Sequence, residues 1–560
     1  MKKMKLEDFV LRVTYLSENG ETVVSDGDSV VSVEKVIEGE RLVVTLHTAK
    51  KVRLVSARMV QSRAFEEGEL FFGGGYQSWT LTREYAPGDR QTGLKNVANL
   101  PVVRTFSAAS GDYYFASYGR GLYHSHGYTY IRRGGETELF GSLDESFAFT
   151  IFYLDAKEQI FAVVKDVEGA DVEGDVKLFD IVRFEGDYDA VFDSYFGLYP
   201  LRAPERELKR LAGYTSWYNY YQNVTEKIVL RDLEGLYKTA GSAANIFQID
   251  DGYESKVGDW LAVDPVKFPN GMKPMADAIH GKGYLAGIWV APFAAEFKAA
   301  VVKEHPEWLL KGENGKPVIG GFAWNGFYVL DHEKPEVRAY VKKVFDTAID
   351  EWGFDMFKLD FLYAACMIPR GGKSRGRLMH EAMAFLRECV RDKLLLGCGV
   401  PMTSSFGFVD ACRTGCDAEL SFRDRYYVKC TNSEIISTRN SIIDTVFRRH
   451  LNGRVFLSDP DVFFLRDGGM KRTDYTQSQK EILARVNKMC GSVLFVSDDP
   501  GEYDAKQRAI LLDAYLPLEG RILSADMKKD AIRMVFEEKG VEKAFEFDLS
   551  TGDYTVRALK

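Results

Sequence analysis

Three changes of texture along the chain predict a multidomain β plus α/β protein: an N-terminal β-sandwich, a central (β/α)8 barrel (TIM barrel) and a small C-terminal β domain. The first two hundred residues read as short strands between turn signals. After them, apolar runs of strand length alternate with longer amphipathic stretches. The last forty-odd residues return to strand-like alternation. At 560 residues the chain is also too long for one ordinary domain.

The N-terminal element, residues 1–200, rests on runs such as RLVVTLHTA (41–49), YYFASYG (113–119) and SFAFTIFYL (146–154). Glu-Asn-Gly, Ser-Asp-Gly and Ser-Gly-Asp turns separate such runs. Many short strands at this spacing predict a sandwich. The charged stretch APERELKRL (203–211) reads as a linker. The barrel, residues 201–517, rests on eight runs: GYTSW (213–217), NIFQID (245–250), LAGIWVAPF (285–293), DMFKLDF (355–361), LLLGCG (394–399), VDACRTG (409–415), RVFLSD (454–459) and VLFVSD (493–498). Helical stretches such as PEVRAYVKKVFDTAIDEWG (335–353) lie between them. Polar residues cluster where each run ends, and in a barrel that edge is the catalytic face. The C-terminal domain, residues 518–560, carries AIRMVFEE and KAFEFDLS.

Composition removes some functions. A net charge of −9 argues against nucleic acid as the main partner, because phosphate binding needs a basic surface. No apolar run approaches the roughly 20 residues that span a bilayer. Glu7 and Asp8 interrupt the basic start, so no signal peptide is expected. All seven cysteines lie between Cys366 and Cys490, which suits reduced thiols and a cytoplasmic home.

Two aspartates at strand ends carry the chemistry. On the run FKLDF (357–361), Lys358 and Asp360 share one face, opposite Phe357, Leu359 and Phe361. The lysine charge is expected to keep Asp360 ionised, as a nucleophile requires; the plainer reading is a structural Lys–Asp pair. Arg413 lies four residues before Asp417, which becomes a general acid if its site raises its affinity for a proton; the plainer reading is a loop aspartate. Asp250 and Asp251 end the second run, where neighbouring carboxylates bind a metal or two adjacent hydroxyls. His124 and His126 form an HxH pair away from any acid motif and read as packing. Trp217, Trp289 and Trp324 lie at or near barrel strand ends, and Trp79 follows a glycine run in the first domain. Together they would make a carbohydrate platform; singly they read as packing. Cys398, beside Gly399, lacks a local activator and reads as pocket wall.

Taken in order, the motifs GYQSW (75–79), SWYNYY (216–221), FQIDD (247–251), GIWVAPF (287–293), FKLDF (357–361), GCGVP (397–401), RTGCD (413–417) and SDPD (458–461) resemble glycoside hydrolase family 36, the α-galactosidases, in its compact bacterial form. The resemblance covers nearly the whole chain. It implies a retaining exo-acting enzyme on small galactosides, with Asp360 as nucleophile and Asp417 as acid/base. It implies that Asp250 and Asp251 hold the galactose O4 and O6 hydroxyls and that Lys358 lies near O3 and O4. Arg413 falls on the O2–O3 side, Cys398 and Gly399 form the wall beside O2, and Trp217 and Trp79 are aromatic walls. It implies no metal or organic cofactor and a small-molecule carbohydrate as partner, and leaves monomer and homo-oligomer both open. Tyr76 stands where relatives often have tryptophan, and Cys416 stands where they often have proline. Rival readings are an α-N-acetylgalactosaminidase, an α-galactosyltransferase, a silent sugar binder, and a metal-dependent enzyme using Asp250, Asp251 and Asp360.

Overall fold

The structure, a computed structural model, describes residues 3–17, 20–91, 119–199, 203–204, 209–424, 436–466 and 473–559. The expected strand at 113–119 lies outside them except for its last residue. The chain forms two compact units. One comprises Met1–Arg202, Tyr363–Leu386 and Val400–Phe408, and the other Ala203–Leu362, Arg387–Gly399 and Val409–Lys560.

The first unit is built on twelve strands joined in one hydrogen-bonded network. The 22-residue strand Arg41–Ser62 links them, pairing antiparallel with Val31–Glu38 and Asp171–Gly186 along its first half and with Val10–Ser17 and Ile160–Lys165 along its second. Alternate residues point inward, and Val44, Leu46, Phe140, Phe152, Phe161 and Ile181 are fully buried. His124 and His126 are buried on Leu122–His126, in edge-to-face contact at 5.8 Å, as packing residues. Two segments distant in sequence belong to this unit. Arg375 pairs with Asp166 at 3.0 Å, and the amide of Ser78 donates to the Val400 carbonyl at 2.9 Å.

In the second unit, eight parallel strands close a barrel. The first four are Leu211–Thr215, Ile246–Ile249, Leu285–Val290 and Met356–Leu359. The fifth, sixth and eighth are Leu394–Gly397, Ala411–Arg413 and Val493–Val496. The seventh is interrupted at Pro460–Asp461. Its first piece, Leu457–Asp459, pairs with strand six, and its second, Val462–Phe463, pairs with strand eight. Strand eight pairs with strand one, which completes the ring. Between strands three and four the chain makes a three-stranded excursion, Ala294–Glu296, Ile319–Gly321 and Phe327–Val329. A four-stranded antiparallel sheet spanning Gly520–Ala558 ends the unit, with Ile532, Met534, Phe536 and Phe545 buried on one face. Among the described residues no helix is long and apolar enough to cross a membrane.

Strands one and two approach too closely at Gly213 for any side chain. A Cβ there would lie 1.8 Å from the Ile246 carbonyl oxygen. Gly213→Ala is expected to cost about 3 kcal/mol or more, read as a lowered thermal midpoint. An unchanged midpoint would mean that the two strands separate without penalty.

Candidate active site

The carboxyl ends of the barrel strands gather the polar residues of the second unit. Asp360 follows strand four directly. Its amide donates to the Val290 carbonyl at 2.9 Å, which anchors it to strand three. Phe361, next in the chain, takes a left-handed backbone with φ of 53°. That turn aims the Phe361 amide at Asp360 Oδ1, at 2.8 Å. Trp289, from strand three, donates its indole N–H to Asp360 Oδ2 at 3.1 Å. Trp289 is only 2% exposed, so its edge, rather than its face, serves the site. The Cys398 thiol, at the end of strand five, also hydrogen-bonds Asp360. Gly399 after it has φ of 57°, a conformation that favours glycine.

Lys358 does not bond Asp360. Its Nζ donates to Asp250 Oδ2 at 2.9 Å and reaches Asp360 only through space. Burial penalises the ammonium most, but the charges of Asp250 and Asp360, with Cys398, together hold Lys358 above its usual range. Burial likewise pushes the Asp360 carboxyl up; Lys358 opposes this and the negative charge of Asp417 adds to it. The expected effect of the Lys358 charge on Asp360 is thus exerted through space, against burial. The Cys398 thiol is pushed well up by burial and by Asp360, so it stays protonated and serves as a wall and a donor.

Arg413 is a hub for three carboxylates. One guanidinium nitrogen donates to Asp417 Oδ1 at 2.7 Å, Nε donates to Asp459 Oδ2 at 3.2 Å, and the third nitrogen lies 2.9 Å from Asp461 Oδ1. Asp459 and Asp461 are buried, whereas the Asp417 side chain is 30% exposed and meets solvent. Asp461 is pushed up to about 7 by burial, against the pull of Arg413 and with help from Asp417 and Asp459. Its other oxygen accepts from Tyr218 and from the Ala418 amide, the latter at 2.7 Å. Asp461 thus ties strand seven to the loop that carries Asp417.

Asp250 and Asp251 divide their partners. Asp250 accepts from Lys358 and from Gln248, at 2.6 Å, and is structurally satisfied. Asp251 accepts from the Trp324 indole at 2.7 Å and from Gln222 at 3.1 and 3.2 Å. Trp324 is not at a barrel strand end. It sits on a turn of the excursion, with φ of 55°, and packs 6.0 Å from Trp289 and 4.9 Å from Phe361. Trp217 starts a short helical turn after strand one and contacts Tyr221 at 4.9 Å. Trp79 belongs to the first unit, edge-on to Tyr363 at 6.0 Å. Among the described residues no group of three or more His, Cys, Asp or Glu is arranged to hold a metal.

Sequence reading missed Gln222, Tyr218, Asp459 and Asp461 as members of this cluster. The SDPD run marked the last two as a motif, but their function depends on where strand seven breaks. The SWYNYY run contains Tyr218 without marking its role, and nothing local singles out Gln222.

The Melibiase family model matches residues 216–387. An A type blood α-D-galactosamine galactosaminidase of Flavonifractor plautii is 33% identical over 182 residues, 28% of this chain and 17% of that protein. An α-galactosidase of Escherichia coli is 28% identical over 199 residues, 34% of this chain and 27% of that protein. These alignments therefore span less than a third of either relative. An α-galactosidase of Thermus thermophilus, solved in complex with stachyose, superposes with a TM-score of 0.68 at 26% identity, covering 87% of this chain and all of that one. The family 36 α-galactosidase AgaA of Geobacillus stearothermophilus shares the fold, with a TM-score of 0.62 at 13% identity over 98% of this chain and 82% of that one. In sequence and fold the chain resembles the family 36 α-galactosidases.

Proposed function

We propose that this chain is a retaining, exo-acting α-galactosidase on small galactosides, with Asp360 as nucleophile and Asp417 as acid/base. The observation that carries it is the pairing of two unlike carboxyls at the open end of one barrel. Asp360 is buried and held by the Trp289 and Phe361 N–H groups. Asp417 is solvent-accessible, and its charge reaches Asp360. A fixed carboxylate suits attack on carbon, and one in contact with water suits proton exchange.

In the first step an Asp360 oxygen bonds to the anomeric carbon while the glycosidic C–O bond breaks and Asp417 gives its proton to the leaving oxygen. In the second step Asp417 takes a proton from water as the water oxygen bonds to that carbon. The bond to Asp360 breaks as the new one forms, which frees the Asp360 carboxylate, and galactose leaves with its configuration retained. The first step requires Asp417 to carry a proton and so to loosen its contact with Arg413; bound substrate hydroxyls would compete for that guanidinium. Asp250, Asp251 and Lys358 hold the O3, O4 and O6 side of the sugar, and Arg413, Cys398 and Gly399 border O2. Trp217 acts as an aromatic wall.

The galactosaminidase relative favours a second reading, in which the sugar carries nitrogen at C2. Release of p-nitrophenol from the α-galactoside, α-galactosaminide, α-N-acetylgalactosaminide and α-glucoside, with EDTA present, separates the two. Release mainly from the α-galactoside is expected. Release mainly from a C2-nitrogen sugar would move the assignment to the second reading, and release from none would remove both.

A further inference from the structure

Trp324 has no part in the two-step reaction, yet its backbone is held in a conformation that tryptophan seldom adopts. It has φ of 55° and ψ of 32°, and Asn325 after it has φ of 64°. Bulky residues keep this left-handed form only where their surroundings impose it, and such positions gather at functional sites. The turn 322–326 joins Ile319–Gly321 to Phe327–Val329, two paired strands of the excursion. Gly326 closes it at φ of 110°, where a Cβ would lie 2.3 Å from the Phe297 ring.

The turn carries the indole to Asp251, which is buried beyond the end of strand two. The indole N–H donates to Asp251 Oδ2 at 2.7 Å. The Gln222 amide divides itself between the two oxygens, at 3.1 and 3.2 Å, and does not choose between them. Of these two donors the indole is the closer, and it commits to one oxygen. A carboxylate has about four lone-pair sites, so it takes both donors and still accepts a hydroxyl. The half-buried Trp324 ring is itself held on several sides. It lies 4.9 Å from Phe361, 5.5 Å from Phe327 and 6.0 Å, edge to face, from Trp289. Trp289 donates to Asp360, so two packed indoles set one carboxylate each.

We propose that Trp324 is a positioning residue that governs sugar specificity: its indole N–H fixes the Asp251 carboxylate in the orientation that receives a hydroxyl on the O4–O6 side of galactose. The role rests on the galactoside reading of Asp251. A tryptophan that only packed would support every part of the sugar alike.

Two variants of the full-length protein test this. Trp324→Phe keeps a ring and removes the N–H. Trp324→Gly suits the left-handed backbone and removes both, so it serves where phenylalanine does not fold. Each is compared with wild type on nitrophenyl α-galactoside and on its 2-deoxy, 4-deoxy and 6-deoxy forms. The readout is kcat/KM for the parent sugar divided by that for each deoxy sugar, a ratio independent of the amount of folded protein. The ratio is expected to fall roughly tenfold for the 4-deoxy or the 6-deoxy sugar and to stay within about twofold for the 2-deoxy sugar. Ratios unchanged for both the 4-deoxy and the 6-deoxy sugar, or lowered alike for all three, would overturn the proposal while leaving the galactosidase assignment standing. No turnover of the parent galactoside by wild type would overturn that assignment and this role with it.

Discussion

Asp360→Ala is expected to reduce turnover of an aryl α-galactoside by on the order of 10⁴-fold or more, because removing a nucleophile removes the covalent route entirely. The fold is expected to survive. Asp360 sits in a place where burial disfavours its charge, so alanine relieves that penalty while forfeiting the hydrogen bonds from Trp289, Phe361 and Cys398. The thermal midpoint should therefore stay near that of wild type. The cavity left by the carboxylate also gives a specific rescue. Azide entering from the same side attacks the anomeric carbon directly and yields β-galactosyl azide, of inverted configuration. Wild-type turnover in the variant, or azide product of α configuration, would remove Asp360 from the nucleophile's role.

Asp417→Ala is expected to behave differently, and the difference is the diagnostic. The acid matters in the first step only as far as the leaving group needs a proton. An aryl galactoside with a good leaving group should lose little of its first step, whereas an unactivated oligosaccharide should lose about 10²- to 10⁴-fold. The second step loses its base for every substrate. Galactosyl-enzyme then accumulates, seen as a burst of nitrophenol and a lowered KM. Azide needs no base, so it restores turnover and gives α-galactosyl azide, of retained configuration. Equal losses on activated and unactivated substrates, with no burst, would assign Asp417 to the Arg413 network as a structural member.

These two residues were legible in the sequence because each follows an apolar run at a strand end. All eight barrel strands were legible for the same reason: runs such as NIFQID and VLFVSD bound their own ends with polar residues. What was not legible depends on contacts between distant segments. Tyr363–Leu386 and Val400–Phe408 group with the N-terminal strands through contacts such as Arg375–Asp166, which no local pattern encodes. Lys358 shares a face with Asp360, as alternation requires, yet it bonds Asp250 on another strand. Asp461 looks like an ordinary residue of a Ser-Asp-Pro-Asp turn until strand seven breaks there and brings it against Arg413. Trp324 reads as a strand-end residue but arrives on the excursion between strands three and four.

The central claim is that Asp360 becomes covalently bonded to the sugar. The direct measurement is to incubate the protein with a fluorinated α-galactosyl donor that forms the intermediate faster than it is hydrolysed, quench in acid, and map the peptides by mass spectrometry. One equivalent of glycosyl label on Asp360 is the expected result. Label on Asp417 or Asp250 instead, or inactivation with no covalent label on any carboxylate, would contradict the account.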